Sequence, residues 1–345
     1  MEERLTQLWY GERARATPLL RSLSWLYAGA THMRSKAYTA RWITSHRVGK
    51  PVVVVGNLTV GGTGKTPLVA WLAQRLSQLG WRVGIVSRGY GRSFDEPQLV
   101  QPDSSWRAVG DEPLLLRRRT QCLTIVGRDR VAAAKALVAH GVDLIIADDG
   151  LQHLRLARDC EIVVVDGSRG FGNGRLLPAG PLREPASRLL SADFTVVNGR
   201  AEHTSLTRAP PLLPAEIMIM TTVATVARSV DGRGDDRPLE TFRGLRVHAV
   251  AGIGNPARFF RALQSHGIEA VEHPFADHYP FAAPDLEFGD ALPVLMTEKD
   301  AVKCREFANP RLWYVPIDAQ FSDVQERELL QGVLCKTGLA TAPGR

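Results

Sequence analysis

The chain has 345 residues, of which 44% are hydrophobic and 23% charged, with a formal net charge of +7. This length predicts about two domains, each with its own core, and the ordinary apolar content excludes a disordered chain. No stretch approaches the ~20 apolar residues of a membrane-spanning helix, no signal peptide is recognised, and the four widely spaced cysteines favour reduced thiols over a zinc site or disulfides.

Positive charge is concentrated in residues 1–50, which carry nine basic and three acidic side chains and no acid between Arg13 and Lys50. The same segment holds leucine and aromatic side chains such as Leu26 and Trp25. Cations beside such side chains are typical of a helix that lies on an anionic bilayer. An ordinary helix with a solvated basic face fits equally well, whereas no other segment resembles a nucleic-acid module. We therefore expect a basic amphipathic helical arm over residues 1–50.

Apolar β-branched runs alternate with helical patterns after this arm. Leucines at helical spacing before Gly80 and an alanine-rich segment before Gly141 predict two helices. Strands and helices that alternate with short connections predict a parallel sheet of the P-loop NTPase type with helices on both faces. The runs predict strands within 52–55, 82–91, 123–127, 143–150, 161–167 and 193–199.

The sequence changes character after residue 200. Residues 201–244 are rich in Pro and Arg and contain a β-like run at 216–230, which predicts a β-like hinge that could form a small hairpin. A second, smaller α/β pattern occupies residues 245–338. The expected organisation is an arm over 1–50, a core over 51–200, the hinge and a C-terminal domain.

The segment TVGGTGKT lies between the first strand and a helix, which is the context that a phosphate-binding P-loop requires. Its glycines allow backbone N–H groups to face phosphate oxygens, Lys65 would reach the β- and γ-phosphates, and the Thr66 hydroxyl would bind Mg²⁺. Thr59 replaces the usual first glycine, but the GGTGKT core is intact. The candidate ATP-binding residues are Thr59, Val60, Gly61, Gly62, Thr63, Gly64, Lys65 and Thr66.

Carboxylates supply the second half of a nucleotide site. An apolar strand ends in Asp148 and Asp149, and a carboxylate there can hold Mg²⁺ through water. No guanine-reading motif follows, because TEKD at 297–300 has the wrong spacing for it. The spare carboxylates Asp111 and Glu112, together with imidazoles of the second domain, favour a transferase over a switch.

Eight strings occur in a fixed order over about residues 10–320. They are GNLTVGGTGKTP (56–67), SRGYGR (87–92), VGDEP (109–113), DDGLQH (148–153), GFGNGRLLPAGPLREP (170–185), AGIGNPARFF (251–260), FADHYPF (275–281) and TEKDAVKC (297–304). This set closely resembles the tetraacyldisaccharide 4′-kinase family of lipid A biosynthesis. The resemblance implies ATP- and Mg²⁺-dependent phosphorylation of the 4′-hydroxyl of an acylated glucosamine disaccharide 1-phosphate. It also implies a two-lobed fold with a hinge and peripheral attachment to the cytoplasmic face of the bacterial inner membrane.

The resemblance places the catalytic site at Asp111, with Lys65 on the phosphate and His278 paired with Asp111 from the C-terminal lobe. Glu112 joins Thr66 and the two strand-end acids Asp148 and Asp149 as a candidate metal ligand. A sugar hydroxyl is a very weak acid, so a positioned carboxylate that takes its proton late in transfer helps the reaction. If the resemblance is set aside, Asp111 could equally be an acidic residue at the start of a helix, and His278 could be an ordinary residue of a surface loop.

Candidate contacts of the lipid substrate are Asn57, Arg88, Gln152, His153, Arg183 and Glu184. The arginines suit a phosphate because of their planar fork, although Arg183 could instead pair with Glu184, and Gln152 and His153 could cap a helix. GIGNP (252–256) lacks a third glycine at the right spacing and is interpreted as a tight turn.

The expected partners are the acylated disaccharide and, through the arm, anionic membrane lipid, with no nucleic acid and no obligate protein partner. An alternative is a membrane-associated P-loop ATPase switch without a small-molecule acceptor. ATP turnover with and without acylated disaccharide distinguishes the two, because a kinase consumes little ATP alone.

Overall fold

The structure is a computed structural model that describes residues 7–11, 16–89, 96–207, 217–234 and 236–339. Arg13 and Arg15 of the expected arm, and the end of the SRGYGR string, lie outside these ranges.

The described residues form two sheets connected by helices. The strands are β1 (Val52–Gly56), β2 (Val83–Ser87), β3 (Gln98–Leu99), β4 (Leu123–Val126), β5 (Leu144–Asp148), β6 (Cys160–Asp166), β7 (Phe194–Asn198), β8 (Met218–Val223), β9 (Val226–Ser229), β10 (Arg237–Pro238), β11 (Arg246–Ala251), β12 (Glu269–Pro274), β13 (Val294–Thr297), β14 (Leu312–Val315) and β15 (Asp318–Gln320). The α-helices are α1 (Pro18–Thr39), α2 (Lys65–Gln78), α3 (Trp106–Val109), α4 (Asp111–Thr120), α5 (Arg130–Ala139), α6 (Thr204–Thr207), α7 (Pro256–Ser265), α8 (Glu298–Cys304) and α9 (Asp323–Thr337). Short 3₁₀ helices cover Ala186–Ser191, Leu239–Phe242, Ala283–Leu286 and Arg305–Phe307.

The larger sheet has nine strands in the order β15-β8-β7-β6-β1-β5-β2-β4-β3. Strands β8 to β4 pair in parallel, and only the edge strands β15 and β3 are antiparallel to their neighbours. Every residue of β1 is buried because α2 and α9 cover one face and α5 the other. The predicted parallel sheet with helices on both faces is thereby confirmed. Its topology puts the segments after β1 and β5 at one edge.

The smaller sheet has six strands in the order β10-β9-β14-β13-β11-β12. Strands β11 to β14 are parallel, and β9 and β10 extend one edge in antiparallel fashion. Phe259, Phe260 and Leu263 of α7 pack on one face, and Ala301 and Cys304 of α8 pack on the other. This arrangement is the expected smaller α/β unit.

Two expected boundaries differ from the structure. The β-like run does not form a hairpin, because β8 joins the larger sheet and β9 the smaller one. The expected C-terminal domain over 245–338 includes β15 and α9, which return to the larger sheet: β15 pairs with β8, and Leu329 and Val333 pack in that sheet's core. A three-residue edge strand is too short to carry a recognisable period.

Helices α4 and α8 join the two sheet units. Val302 of α8 shares a buried cluster with Leu114 and Leu115 of α4. Beside this cluster, the Arg119 guanidinium lies 2.8 Å from the Glu298 carboxylate. The start of α4, with Asp111 and Glu112, therefore faces the second unit.

Helix α1 lies on the surface of the larger unit. The Thr17 hydroxyl caps its first turn, and the Ser24 hydroxyl donates a 2.8 Å hydrogen bond to the Leu176 carbonyl. Large apolar side chains on α1 point away from the body: Leu19, Leu23, Leu26 and Met33, together with Trp25, are exposed. Of the two interpretations of the arm, the ordinary helix with only its basic face in solvent does not fit these residues. In the described ranges, none of the helices combines the length and apolar character needed to cross a membrane.

Candidate active site

The P-loop connects β1 to α2 and has the backbone that phosphate binding requires. Gly61 and Gly64 adopt φ values of +104° and +95°, which other residues rarely reach. The space beside Gly62 is open, since a Cβ there would meet no atom within 4 Å. Lys65 begins α2, so the positive end of the helix dipole and the lysine point to the same region.

The first half of the loop is held by a neighbouring segment. The Val60 N–H donates a 2.8 Å hydrogen bond to the Pro181 carbonyl, and Thr59 forms a β-bridge with Leu182. Asn57 is buried and donates to the Gly61 carbonyl at 3.3 Å. Thr59, which replaces the usual first glycine of the motif, is thus held by this neighbouring segment.

Asn198, at the end of β7, fixes the second half of the loop. Its Nδ2 donates a 2.9 Å hydrogen bond to the Thr63 carbonyl, and a Cβ on Gly64 would lie only 2.1 Å from that nitrogen. Sequence reasoning missed Asn198, because a lone Asn after a strand carries no motif.

We expect Gly64→Ala to weaken ATP binding at least about tenfold, because the alanine combines left-handed backbone strain of roughly 1–2 kcal/mol with displacement of Asn198. Isothermal titration with ATP measures the effect. Gly174→Ala is the matched control, since Gly174 also has a positive φ of +71° but a Cβ there would meet nothing within 4 Å. Equal ATP affinity in both variants would contradict this reading of the loop.

Asp148 ends β5 and Asp149 follows it beside the P-loop, and their surroundings shift the pKa values of the two carboxyl groups in opposite directions. Burial, then the nearby carboxylates Glu112 and Asp149, raise the pKa of Asp148 to about 7. Burial also favours neutral Asp149, but Lys65, Arg183 and Arg130 outweigh it and lower the pKa of Asp149 to about 2. The Lys65 Nζ lies 3.5 Å from Asp149 Oδ1.

The residues around Asp148 fit a cation bound together with a nucleotide. Asp148 Oδ1 and Thr63 Oγ1 are buried and have no hydrogen-bond partner among the described residues. The three carboxylates Asp148, Asp149 and Glu112 repel one another, which a divalent cation would relieve. No group of three or more His, Cys, Asp or Glu side chains in the described ranges forms a ready metal site, so phosphate and water oxygens would complete the coordination.

Asp111 and His278 meet across the two units. Asp111 is 4% exposed, and His278 Nδ1 lies 2.9 Å from its Oδ2 and 3.2 Å from its Oδ1. Burial is the largest influence and acts against charge on both side chains, but their hydrogen bond and the neighbouring opposite charges together outweigh it, so the pKa of Asp111 lies below and the pKa of His278 above the ordinary value. His278 has a φ of +60°, a strained conformation for a non-glycine residue that the surrounding loop imposes.

Two lysines of α8 lie beside this pair, and no role was predicted for either of them. Lys299 Nζ lies 3.0 Å from Glu112 Oε1 and 3.3 Å from His278 Nε2. Lysine only donates, so this contact fits a His278 tautomer that carries its proton on Nδ1 and donates it to Asp111. Lys303 is fully buried and lies 3.9 Å from Asp111 Oδ2.

Four of the six candidate substrate residues form one network next to Asp149. Arg183 Nη1 donates to Asp149 Oδ2 at 3.2 Å and to Gln152 Oε1 at 3.3 Å. Gln152 Nε2 donates to Glu184 Oε1 at 2.8 Å and to the Asn57 carbonyl at 3.2 Å. Arg183 therefore pairs with Asp149 and not with its neighbour Glu184.

The other two substrate candidates lie apart from this network. Arg88 is exposed at the end of β2. Burial and the nearby Arg130 and Arg158 lower the pKa of His153 to about 4, and its buried Nε2 finds no hydrogen-bond partner among the described residues. Among the described residues, neither Arg88 nor His153 forms a side-chain hydrogen bond with Gln152 or Arg183.

The GIGNP turn and α7 connect the second unit to the P-loop. A Cβ on Gly254 would lie 3.1 Å from the Gly62 nitrogen, a closer approach than most side chains make, so glycine favours this contact. Arg169 Nη1 donates to the Gly254 carbonyl at 3.1 Å, and Arg258 Nη2 donates to Asn198 Oδ1 at 2.7 Å. The interpretation of GIGNP as a turn agrees with the structure. Its Gly254 is the residue that lies close to the P-loop.

Comparison with known proteins gives one consistent result. A family model described as tetraacyldisaccharide-1-P 4′-kinase (LpxK) matches residues 16–334. A tetraacyldisaccharide 4′-kinase of Alkalilimnicola ehrlichii is 50% identical over 319 residues, 92% of each chain. One of Stenotrophomonas maltophilia is 51% identical over 305 residues, 87% of this chain and 88% of that protein.

A solved structure is similar as well. The crystal structure of the "apo" form of LpxK from Aquifex aeolicus in complex with ATP superposes with a TM-score of 0.74 at 27% identity, covering 92% of this chain and 98% of that one. The P-loop, the strand-end acids and the shared motifs thus occur in a chain that belongs to the tetraacyldisaccharide-1-phosphate 4′-kinase family.

Proposed function

We propose that this chain transfers the γ-phosphoryl group of ATP to the 4′-hydroxyl of a tetraacyldisaccharide 1-phosphate, with Asp111 receiving the hydroxyl proton. Family membership gives the class of reaction, a phosphotransfer to an alcohol. The observation that carries the assignment of roles is the 2.9 Å contact between Asp111 and His278, contributed by different units. A switch that hydrolyses ATP without an acceptor gives no reason for this pair.

The proposed reaction assigns one task to each side chain. The 4′-oxygen forms a bond to the γ-phosphorus while the bond from that phosphorus to the β,γ-bridging oxygen breaks, and ADP leaves. The hydroxyl proton passes to the Asp111 carboxylate, which His278 orients through Nδ1. Lys65 and the N–H groups of Gly61–Thr66 stabilise the charge on the phosphoryl oxygens.

Mg²⁺ is the proposed metal, with Thr66, Asp148, Asp149 and Glu112 as the side chains that would hold it directly or through water. When bound it would offset the negative charge of the phosphates. Lys299 Nζ also lies 3.0 Å from Glu112 Oε1, so Glu112 has a cationic partner within the chain.

The proposed acceptor site extends from Asp149 toward α1. The proposed site is lined by Arg183, Gln152 and Glu184, which are joined by hydrogen bonds. Arg34 of α1 donates a 3.0 Å hydrogen bond to the Gln152 carbonyl. A sugar phosphate headgroup beside Arg183 would thus lie next to a helix whose exposed apolar side chains suit acyl chains. Arg88 and His153 remain proposed contacts that the network does not include.

Transfer of labelled phosphate tests the function directly. We expect the purified protein to move ³²P from [γ-³²P]ATP to a tetraacyldisaccharide 1-phosphate in mixed micelles, with much slower ATP hydrolysis when the lipid is absent. ATP hydrolysis at the same rate with and without lipid, and no labelled lipid, would support the switch instead.

We also propose that α1 binds the cytoplasmic face of the bacterial inner membrane. Its exposed leucines recur at the i, i+4, i+7 spacing of one helix ridge, next to the basic residues of the arm.

Charge reversal on α1 tests this attachment. We expect Arg21→Glu with Lys36→Glu to lower affinity for anionic vesicles at least about tenfold at low salt, because each cation contributes ~1 kcal/mol near such a surface and salt screens it. Co-sedimentation with vesicles measures the change. The control variant Lys135→Glu with Arg246→Glu alters two exposed cations outside the arm, and equal loss in both variants would contradict a specific role of α1.

A further inference from the structure

The TEKDAVKC string forms β13 and α8, and the proposed chemistry leaves its most buried charges unexplained. Lys303 and Asp300 are 1% and 0% exposed. Lysine is almost never buried to this degree unless it is paired, because desolvation of its charge is costly. A lysine in this position therefore requires a specific reason.

Lys303 lies between two carboxylates and an aromatic ring. Its Nζ is 2.8 Å from Asp300 Oδ1, 3.9 Å from Asp111 Oδ2 and 5.0 Å from the centre of the Phe281 ring. Phe281 belongs to the same FADHYPF string as His278. The lysine thus approaches Asp111 from the buried side, whereas His278 approaches from the partly exposed side.

Asp300, the nearer carboxylate partner of Lys303, is itself held by hydrogen bonds. Its Oδ2 accepts hydrogen bonds from the Gly252 N–H at 2.8 Å and from the Thr297 hydroxyl at 2.6 Å. Gly252 begins the GIGNP turn, whose Gly254 touches the P-loop. Asp300 and Lys303 lie one helical turn apart on α8. Asp300 binds the GIGNP segment that contacts the P-loop, and Lys303 lies near the Asp111 carboxylate, which would receive the acceptor proton.

The orientation of Asp111 follows from three contacts. The Glu112 N–H donates to Oδ1 at 2.8 Å, His278 Nδ1 contacts Oδ2, and Lys303 attracts Oδ2 from the interior. Two of the three come from the second unit. Without Lys303 the carboxylate could rotate about its Cβ–Cγ bond toward the remaining donors.

We propose that Lys303, held by Asp300, is a positioning residue that fixes the Asp111 carboxylate in its orientation for the acceptor hydroxyl when the two units are in contact. This inference rests on the proposed function, since it assumes that Asp111 acts on the acceptor. Lys303 touches neither substrate and acts through Asp111 alone.

Kinetics of Lys303→Met test the role, since methionine has a similar length and no charge. We expect Lys303→Met to lower kcat by about 10–100-fold, because the Asp111 carboxylate is no longer held in its orientation. KM for ATP and for the lipid should change by less than about threefold. Lys336→Met is the control, because it removes a lysine 2.7 Å from Asp193 on the surface of α9, and its kcat should equal that of the wild type.

A double-mutant cycle separates positioning from a structural role. In an Asp111→Asn background, Lys303→Met should lower kcat by less than about twofold further, because residues that act as one unit are non-additive. A full additional 10–100-fold loss in that background, or a wild-type kcat for Lys303→Met, would overturn the proposal.

A second variant covers the case in which Lys303→Met leaves Asp300 as an unpaired buried charge and fails to fold. Asp300→Asn with Lys303→Met removes both charges and should fold, with the same loss of kcat and the same non-additivity. Wild-type kcat in this variant would overturn the proposal. An inactive wild-type protein in the labelled-phosphate assay would instead reject the proposed function, so the two failures are distinguishable.

Discussion

Replacing Asp111 or His278 with alanine is expected to lower kcat by roughly 10²–10⁴-fold, the range for a lost acid–base group. Asp111 would no longer receive the proton of the acceptor hydroxyl. Loss of His278 would leave the buried carboxylate with one fewer donor, since its 2.9 Å contact with Asp111 disappears. Phosphate transfer to the lipid at saturating substrates measures both effects.

The double variant provides the sharper test of this pair. If the two residues form one unit, Asp111→Ala with His278→Ala loses much less than the product of the single losses. ATP affinity should change little, because neither side chain lies in the P-loop. Fully multiplicative losses would show that the two residues act independently.

A histidine elsewhere in the second unit serves as the control. His266 is the C-terminal cap residue of α7, so His266→Ala removes an imidazole from the same unit without touching Asp111. Its kcat should stay near that of the wild type. An unchanged kcat in His278→Ala itself would remove this histidine from the mechanism.

Local patterns were sufficient to predict the P-loop and the central parallel strands of the larger sheet, β1, β2 and β4 to β7. Val52–Val55 form an unbroken β-branched run because β1 is buried on both faces, and the glycines of the loop are required by positive φ values. Asp148 and Asp149 were recognisable because a buried strand ends in them. Each of these features depends on residues that are close together in the sequence, so it can be recognised without a structure.

The parts that the sequence did not predict depend on distant residues. Asn198 and Gly64 are 134 positions apart, and their contact arises only when β7 and the P-loop reach the same edge of the sheet. Return of β15 to the larger sheet likewise requires β8 as its partner. The Asp111–His278 pair was anticipated from a family resemblance, because a loop histidine 167 positions away carries no pattern of its own.

The same distinction explains why Arg183 does not form the alternative pair with Glu184 that the sequence left open. Its neighbour Glu184 was the obvious partner in sequence, but adjacent side chains point in different directions in an extended segment. The guanidinium instead reaches Asp149, at 3.2 Å, across the sheet edge. Glu184 accepts a hydrogen bond from Gln152.

Lys65→Ala is expected to lower kcat by about 10²–10³-fold with the fold intact, because the lysine stabilises charge that develops on the transferring phosphoryl group. The fold should persist because Asp149 retains Arg183, which lies 3.2 Å from its carboxylate, after the 3.5 Å contact with Lys65 is removed. Thermal unfolding measured without nucleotide checks that point. The control is Lys50→Ala, which removes a lysine outside the P-loop, just before β1.

A second test of Lys65 compares how far Lys65→Ala lowers the affinity for ATP with how far it lowers kcat. ATP still has the N–H groups of Gly61–Thr66 and the start of α2, so its affinity should fall less than kcat does. An affinity loss as large as the kcat loss would mean that Lys65 contributes equally to ground-state binding and to the transition state. Near-normal turnover would reject the P-loop assignment itself, because no other lysine of the described chain lies within 4 Å of Asp149 to take its place.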